Sequence, residues 1–168
     1  MIIDTATNTL MQSIETPYLT ILSKIVAYAF DPVVLITISI LIAIYLFFKV
    51  SKKQGILLAT TVIATGIIIQ VSKEIFQRTR PLNALIAETS FSMPSGHAIM
   101  AVVFFGLMAY LFTNKKYKIT TTIITTLIIL LTGFTRIYLR VHRLTDIITG
   151  FAIGGIILTI SILIYKKF

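Results

Sequence analysis

Five apolar runs, separated by short polar segments, account for most of the chain. They cover residues 32–48, 55–71, 97–113, 119–134 and 147–165, and none has a charged residue at its centre. A helix that crosses a bilayer needs about 17–25 mostly apolar residues, and its backbone polar groups must be satisfied within the segment. The pattern therefore predicts an all-α fold: a polytopic transmembrane helix bundle with about five spanning helices.

The segment before these runs has a different pattern. Residues 16–30 are apolar but are interrupted by Lys24 and closed by Asp31 and Pro32. The large apolar side chains of this region that share one helical face are Leu10, Ile14, Ile21, Leu22 and Ile25. This spacing predicts an amphipathic helix lying in the membrane interface within residues 1–30. A tilted sixth span beginning near Thr9 is the alternative. A single domain is expected over residues 1–168, with the transmembrane bundle in residues 32–165.

Composition supports a membrane protein. Hydrophobic residues make up 57% of the chain and charged residues 12%, whereas soluble domains carry about a quarter charged residues. The net charge of +9, from 15 basic and 6 acidic residues, then indicates loops facing anionic lipid head groups rather than nucleic acid. The absence of cysteine excludes disulfides and thiolate metal sites. The first nine residues lack the basic region of a signal peptide, so the apolar runs are interpreted as permanent spans.

The charges divide unevenly between the two ends of the predicted spans. One end carries only lysines: Lys49, Lys52, Lys53, Lys115, Lys116, Lys118, Lys166 and Lys167. The other end carries all six acids and all five arginines, with Lys24 and Lys73. The basic totals are similar, but the lysine loops are short and contain no acid. We therefore expect the lysine end in the cytoplasm and the N-terminus outside.

Three sequence blocks at the arginine-rich end contain residues suited to chemistry. The first runs from Lys73 to Arg80-Pro81, the second is Pro94-Ser95-Gly96-His97, and the third runs from Thr135-Arg136 through His142 to Asp146. Transmembrane threading would bring the blocks together although about 70 residues separate the first from the last. Several cations, two histidines and one carboxylate at one interface indicate a site for a phosphate group.

Phosphoryl transfer depends on positioning and on neutralising charge on the phosphoryl oxygens. Arg80 and Arg136 can hold those oxygens bidentately, and Lys73 adds a point charge. Pro94 is expected to begin the third span. The N–H groups of Ser95, Gly96 and His97 would then be unpaired donors at a helix start, and the Ser95 hydroxyl would supply a further hydrogen bond.

The two histidines are predicted to have different roles. His142 and Asp146 are four residues apart and would share one face of a helix. A carboxylate on one ring nitrogen leaves the other free to attack phosphorus. His142 is therefore the predicted nucleophile and Asp146 its orienting partner. His97 would protonate the leaving oxygen and then activate water.

These blocks resemble the signature of the type 2 phosphatidic acid phosphatase superfamily, the lipid phosphate phosphatases. All spacings from Lys73 to Arg80-Pro81, through Pro94–His97, to Arg136, His142 and Asp146 are kept. Thr135 replaces the serine of the third block but retains a hydroxyl. The resemblance implies metal-independent hydrolysis through a phosphohistidine, without a cofactor. Family members commonly have six spans, so this chain would be a compact version.

Some residues outside the signature have open interpretations. Arg78, Arg140 and Arg143 either face anionic lipid head groups or contact the substrate's head group. Glu74 and Glu88 are interpreted as solvated or paired surface acids. His142 and Asp146 could instead bind a metal, because their spacing also suits two ligands, but the neighbouring cations argue against that reading.

The expected substrate is a phosphorylated membrane lipid presented at the outer face of the cytoplasmic membrane, with no nucleic acid and no obligatory protein partner. Undecaprenyl pyrophosphate, phosphatidylglycerophosphate, phosphatidic acid and the 1-phosphate of lipid A all fit. Two alternatives stay open: a lipid phosphotransferase, and an anion transporter or channel with a basic mouth.

Overall fold

The computed structural model describes residues 2–167, and this part of the chain is helical, with short connections apart from one long loop over residues 77–95. The seven α-helices are α1 (Ile2–Ser13), α2 (Pro17–Ala29), α3 (Pro32–Lys49), α4 (Lys52–Phe76), α5 (Gly96–Phe112), α6 (Lys118–Tyr138) and α7 (Leu144–Lys167). A 3-10 turn at Lys115–Tyr117 precedes α6. The prediction of an all-α bundle is confirmed.

Four helices of the described chain, α3, α4, α6 and α7, are candidate membrane spans. Each is long and apolar enough to cross a membrane, α6 together with its preceding turn as Lys115–Tyr138. Their outward faces carry exposed apolar side chains such as Leu41, Ile63, Leu127 and Ile160. The fifth predicted span, α5, is shorter, with 17 residues.

The short helix α5 lies at the centre of the bundle. It packs against α3, α4, α6 and α7, and Ile99, Met100 and Val103 on it have no exposed surface. Because α5 is surrounded by other helices, it is apolar on all sides.

Two glycines of α7 allow the close contact with α5. A Cβ atom at Gly150 would lie 2.8 Å from the Cβ of Ala98 and 2.9 Å from the carbonyl oxygen of Ser95. A Cβ at Gly154 would lie 2.9 Å from the carbonyl oxygen of Ile99. The Gly-x-x-x-Gly pattern therefore serves packing within the bundle.

The N-terminal region differs from the prediction of one interfacial helix. It forms two helices, because Thr16 accepts a hydrogen bond from the N–H of Leu19 and Pro17 occupies the first turn of α2, which together start a new helix. At 13 residues, α2 is about 20 Å long and too short to cross a bilayer. The sixth span near Thr9 is absent from the described residues, since neither α1 nor α2 is among the candidate spans.

Both N-terminal helices pack on the end of α6. The Tyr138 hydroxyl lies 3.0 Å from the Thr20 hydroxyl and accepts a hydrogen bond from the N–H of Thr16 at 3.1 Å. Met11 and Ala27 belong to a small buried cluster with Tyr138 and Leu139. The opposite face of α2 exposes apolar side chains, among them Tyr18, Ile21 and Ile25.

Helix ends near the predicted chemistry also differ from the expectation. Helix α4 continues to Phe76 instead of ending at residue 71, α6 continues to Tyr138 instead of 134, and α7 begins at Leu144 instead of 147. The predicted spans end where polar residues lower the hydropathy of the segment. In the structure the helices continue through these residues, and Lys73 and Arg136 there bond to the 77–95 loop.

An irregular loop over residues 77–95 connects α4 to α5. Hydrogen bonds between its two arms hold it together: the N–H of Ser92 donates to the Arg78 carbonyl at 2.8 Å, and the Ser92 hydroxyl to the Thr79 carbonyl at 3.1 Å. Leu85 packs against the N-terminal cluster, whereas Leu82 is fully exposed. The loop lies at one end of the bundle, between the end of α4 and the start of α5.

Candidate active site

The three sequence blocks meet at one end of the bundle. In chain order, the residues are Lys73 in the last turn of α4, Arg80 in the 77–95 loop, Ser95, Gly96 and His97 at the start of α5, Arg136 in the last turn of α6, His142 between α6 and α7, and Asp146 in the first turn of α7. The N–H of Ser95 donates to the Asp146 carbonyl oxygen at 3.1 Å. This bond fastens the start of α5 to the start of α7.

His142 and Asp146 face each other, but not for the predicted reason. His142 lies before α7 begins at Leu144, so the two residues do not share a helix face. Asp146 instead turns back toward the start of its own helix, where its Oδ2 accepts the N–H of Arg143 at 2.9 Å. This is the geometry of a capping carboxylate. It places Oδ2 3.7 Å from Nδ1 of His142.

The His142 imidazole is enclosed. Its side chain is almost completely buried, and its Nδ1 has no hydrogen-bond partner among the described residues. Its Nε2 lies 3.4 Å from Nη1 of Arg80. Burial lowers the pKa of His142 to about 4; Arg136 and Arg80 act in the same direction, while Asp146 opposes them. The ring is therefore neutral near pH 7, and one of its nitrogens carries a free lone pair.

The two arginines predicted to bind phosphate share one carboxylate, that of Glu88. The guanidinium of Arg136 contacts a carboxylate oxygen of Glu88, and Nη2 of Arg80 lies 3.5 Å from the other oxygen. Nε of Arg136 is buried without a hydrogen-bond partner in the 2–167 segment. Burial acts to raise the pKa of Glu88, but Arg136 and Arg80 outweigh it and hold the pKa below its usual value. An internal carboxylate thus occupies a position suited to a phosphate group.

Glu88 was interpreted as a solvated or paired surface acid. It is paired, but with the two arginines predicted to bind phosphate, and it lies at the site rather than on a remote surface. No sequence signal distinguishes it, because it comes from an irregular loop without periodicity. Ser90 was also missed: its hydroxyl accepts a hydrogen bond from Nζ of Lys73 at 2.6 Å and one from Arg80 at 3.1 Å.

The loop backbone fixes Arg80. Its Nε donates to the Ser90 carbonyl at 2.7 Å, and its Nη1 donates to the Val141 carbonyl at 2.8 Å. One side chain therefore joins the 77–95 loop to the segment that carries His142. Burial lowers the pKa of Arg80 from its usual value.

The start of α5 is built around Ser95 and Gly96. The Ser95 hydroxyl accepts the N–H of Ala98 at 3.4 Å as the N-cap. The N–H of Ser95, expected to be a free donor, is taken by Asp146, so only the first-turn N–H groups of Gly96 and His97 stay without intrahelical partners. A Cβ at Gly96 would lie 3.2 Å from Ile69, so the glycine serves tight packing.

His97 is buried at the start of α5 and faces the end of α2 and the start of α3. Its Nε2 lies 3.1 Å from the Ala27 carbonyl oxygen and 3.8 Å from Oδ2 of Asp31. A carbonyl can only accept, so Nε2 carries the proton in this arrangement and Nδ1 is the basic nitrogen of the neutral ring. Asp31, the N-cap of α3, supplies a nearby negative charge.

The three accessory arginines all make intramolecular bonds. Arg78 pairs with Asp146 at 2.6 Å and with Asp4 at 2.7 Å. Arg140 donates to Glu15 at 2.6 Å, and Arg143 donates to the Thr79 carbonyl at 2.7 Å. Contacts with lipid head groups stay a prediction for all three. One of the two partners of Arg78, Asp146, is the carboxylate that faces His142.

The carboxylates near His142 are poor candidates for a metal site. Asp146 and Glu88 are each paired with an arginine, and Lys73 and Arg80 add positive charge nearby. Within residues 2–167, no group of three or more His, Cys, Asp or Glu side chains has an arrangement that could hold a metal ion. The donor set favours an anion instead.

Comparison with known families gives a match over most of the chain. The model described as PAP2 superfamily matches residues 54–168, a range that includes all three blocks. Phosphatidylglycerophosphatase B of Bacillus subtilis is 33% identical over 126 residues, covering 71% of this chain and 62% of that protein. Undecaprenyl-diphosphatase of Sulfolobus acidocaldarius is 31% identical over 127 residues, covering 71% and 59%. The chain thus spans about three fifths of the length of these relatives.

Two crystal structures are similar to the whole fold. A transmembrane PAP2-type phosphatidylglycerolphosphate phosphatase from Bacillus subtilis has a TM-score of 0.90 at 28% identity, covering 98% of this chain and 85% of that one. LpxE of Aquifex aeolicus has a TM-score of 0.74 at 26% identity, covering 92% of each chain. With the apolar helices, these similarities establish a multi-pass membrane protein.

Proposed function

Because the chain belongs to the PAP2 superfamily, we propose that it is a lipid phosphatase that hydrolyses a phosphomonoester or diphosphate of a membrane lipid. The observation that carries this proposal is the placement of His142. Its ring lies beside the Asp146 carboxylate on one side and the Arg80 guanidinium on the other. The relatives' names, phosphatidylglycerophosphatase and undecaprenyl-diphosphatase, support a lipid phosphate as the substrate class.

In the first step, Nε2 of neutral His142 attacks phosphorus and the bond to the leaving oxygen breaks. Nδ1 faces Asp146, so its proton stays beside the carboxylate and the positive charge that develops on the ring is stabilised. The arginines neutralise the phosphoryl oxygens. The substrate phosphate first displaces Glu88, which holds the same guanidinium groups in this structure.

His97 supplies and then recovers the proton. Its Nε2–H is occupied by the Ala27 carbonyl, so the cycle begins from the form of the protein in which His97 also carries a proton at Nδ1, and this proton passes to the leaving oxygen as the P–O bond breaks. Oδ2 of Asp31, 3.8 Å from Nε2, favours the charged ring, whereas burial and the nearby Arg136 disfavour it. In the second step, Nδ1 removes a proton from water, the resulting hydroxide attacks phosphorus, and the N–P bond to His142 breaks. Inorganic phosphate leaves and both histidines return to their starting states.

A cleft of about 360 Å³ beside Arg80 and Glu88 suits entry of the phosphate. It is lined by Glu74, Thr79, Arg80, Glu88, Thr89, Ser90 and Phe91. All lysine-only loops lie at the opposite end of the bundle, because α3, α5 and α7 end there while α4 and α6 begin there. The positive-inside tendency supports a site at the extracytoplasmic face of the cytoplasmic membrane.

The test is a panel of lipid phosphates assayed with purified protein in detergent. Release of inorganic phosphate from phosphatidylglycerophosphate, undecaprenyl pyrophosphate, phosphatidic acid or the lipid A 1-phosphate is expected from the wild type and not from His142→Ala. Leu82→Ala, at a fully exposed position, is the matched control and should retain activity. Turnover that persists in folded His142→Ala would overturn the nucleophile assignment, and turnover lost in EDTA and restored only by a divalent cation would overturn metal independence.

A further inference from the structure

A carboxylate of the N-terminal helix reaches the catalytic end of the bundle. Asp4 lies in the first turn of α1 and is 7% exposed. Its Oδ1 accepts the N–H of Thr145 at 3.1 Å, and the Thr145 hydroxyl lies within 3.0 Å of both carboxylate oxygens. Residues 4 and 145 are 141 positions apart in sequence, so this is a specific tertiary contact at the start of α7.

Arg78 connects Asp4 to the carboxylate that faces His142. Its Nη2 donates to Oδ2 of Asp4 at 2.7 Å, and its Nη1 donates to Oδ1 of Asp146 at 2.6 Å. Nη1 also donates to the Thr145 hydroxyl at 2.6 Å. The two carboxylates therefore hold one guanidinium between them, and its orientation is fixed at both ends.

The two oxygens of Asp146 have separate partners. Oδ1 faces Arg78, whereas Oδ2 accepts the N–H of Arg143 and faces Nδ1 of His142. A bond on Oδ1 therefore determines where Oδ2 points. Because Arg78 is shared between two carboxylates, its charge is not concentrated on Asp146, which stays available to stabilise a positive charge on His142.

The titration behaviour of this cluster agrees with its geometry. Burial acts to raise the pKa of Asp4, but the bonds from Arg78 and Thr145 outweigh it and hold the pKa below its usual value. Burial acts to lower the pKa of Arg78, but Asp4 and Asp146 outweigh it and raise the pKa. Asp4 and Arg78 are therefore charged near neutral pH.

We propose that Asp4 is a positioning residue for phosphoryl transfer: acting through Arg78 and Thr145, it sets the direction of the Asp146 carboxylate and the charge that this carboxylate presents to His142. The inference rests on the proposed function, since it assigns Asp4 a part in that reaction. Among residues 2–167, Asp4 makes no hydrogen bond or ion pair with either histidine and acts through Arg78 and Thr145, so we expect its effect on the rate of the chemical step and not on substrate binding.

The first test compares Asp4→Asn with Glu15→Gln. Glu15 makes a matched contact, since this N-terminal carboxylate also pairs with an arginine at 2.6 Å, but its partner Arg140 donates to Glu15 and Asn83 rather than to Asp146. We expect Asp4→Asn to lower kcat about tenfold with KM nearly unchanged, because the substitution removes a side chain that helps to orient the Asp146 carboxylate. Glu15→Gln should leave kcat close to wild type, and Asp4→Glu should recover part of the loss.

The second test does not depend on turnover. The chain has two histidines, so a protein labelled with ¹⁵N-histidine gives a spectrum that His97→Gln assigns. We expect Asp4→Asn to change the ring ¹⁵N shifts of His142, because the carboxylate opposite Nδ1 has moved or lost basicity, and Glu15→Gln to leave them unchanged. A purely structural tether would affect the thermal midpoints of both variants without this selective change.

The outcomes separate the two proposals. If the wild type hydrolyses no lipid phosphate, the proposed function fails, and the His142 spectrum still decides whether Asp4 controls the ring's environment. If the wild type is active and folded Asp4→Asn matches it in kcat and in the His142 shifts, only the role of Asp4 is overturned. Equal losses in Asp4→Asn and Glu15→Gln, with unchanged His142 shifts, would also overturn it. If Asp4→Asn does not fold, Asp4→Glu is judged by the same two measurements.

Discussion

The protonation state of His142 is set by the surfaces around its ring. Burial removes the water that would stabilise an imidazolium, and two guanidinium groups oppose a third positive charge. The Asp146 carboxylate acts in the opposite direction but is not in hydrogen-bond contact, since 3.7 Å separates Oδ2 from Nδ1. A phosphate dianion in place of Glu88 would reverse part of this balance, so the ring's basicity rises as substrate binds.

The first prediction at this scale is a low titration midpoint for His142. In ¹⁵N-histidine-labelled protein, its ring signals should titrate with a midpoint near pH 4, well below the value of about 6.5 for an unperturbed histidine. His97→Gln removes the other histidine signal and serves as the control. A midpoint at or above the unperturbed value would contradict the described environment.

The same shift has a consequence for stability. Between the usual histidine pKa and the lowered one, the unfolded chain binds a proton that folded His142 does not bind. Stability contributed by neutral His142 is therefore present above the usual pKa and declines as the pH falls toward about 4. On acidification, the thermal midpoint of the His142→Gln variant should therefore fall less than that of the wild type.

At the scale of helices, the active site depends on the distance between α5 and α7. The bond from the N–H of Ser95 to the Asp146 carbonyl joins their first turns, and Gly150 lies one turn further along α7 against the carbonyl group of Ser95. A displacement of α7 therefore moves Asp146 relative to His97 without touching either side chain.

This arrangement predicts different effects from two glycine substitutions. In Gly150→Ala, the new Cβ would lie 2.8 Å from Ala98 and 2.9 Å from a backbone oxygen, so the helices must separate and both kcat and the thermal midpoint should fall. In Gly155→Ala, nothing lies within 4 Å of the Cβ. Its midpoint should stay equal or rise slightly, since alanine is favoured over glycine in a helix by about 1 kcal/mol. Equal behaviour of the two variants in thermal unfolding and phosphate release would contradict the packing argument.

A comparison of predicted and observed helix bounds shows which helices could be predicted from the sequence. Helix α3 was placed within one residue, because Asp31 and Pro32 mark its start in sequence and its apolar run is uninterrupted. Helix α4 was ended five residues early, because Lys73 and Glu74 lower hydropathy although they continue the helix. Helix α1 was not predicted as a separate helix, since the partners of its buried Asp4 come from α7 and the 77–95 loop, which are distant in sequence.

The residues of the candidate site also divide into those that could be predicted from the sequence and those that could not. The signature residues were predictable because fixed spacings place Lys73, Arg80, His97, Arg136 and His142 at the same end of consecutive spans. Glu88 and Asp4 were not predictable, because their contacts with Arg136 and Arg78 join segments 48 and 74 residues apart. Such ion pairs follow from tertiary packing and leave no periodic signal.

At the scale of the whole molecule, charge is separated along the membrane normal. One end of the bundle carries lysines in short loops, and the other carries the acids, the arginines and the candidate active site. Four arginines at the second end, Arg78, Arg80, Arg136 and Arg140, are paired with carboxylates, which reduces the net positive charge there. Uncompensated positive charge lies at the lysine end, and we therefore expect that end to stay in the cytoplasm, as the positive-inside tendency predicts.

Orientation can be measured cleanly because the chain has no cysteine. In right-side-out membrane vesicles, a membrane-impermeant maleimide should label Leu82→Cys, which lies on the active-site loop and is fully exposed. It should label Lys116→Cys, in the exposed turn at the opposite end, only after detergent is added. Labelling of both sites in detergent controls for reactivity. The reverse pattern would place His142 at the cytoplasmic face, and the lipid phosphates it hydrolyses would then have to be presented from that leaflet.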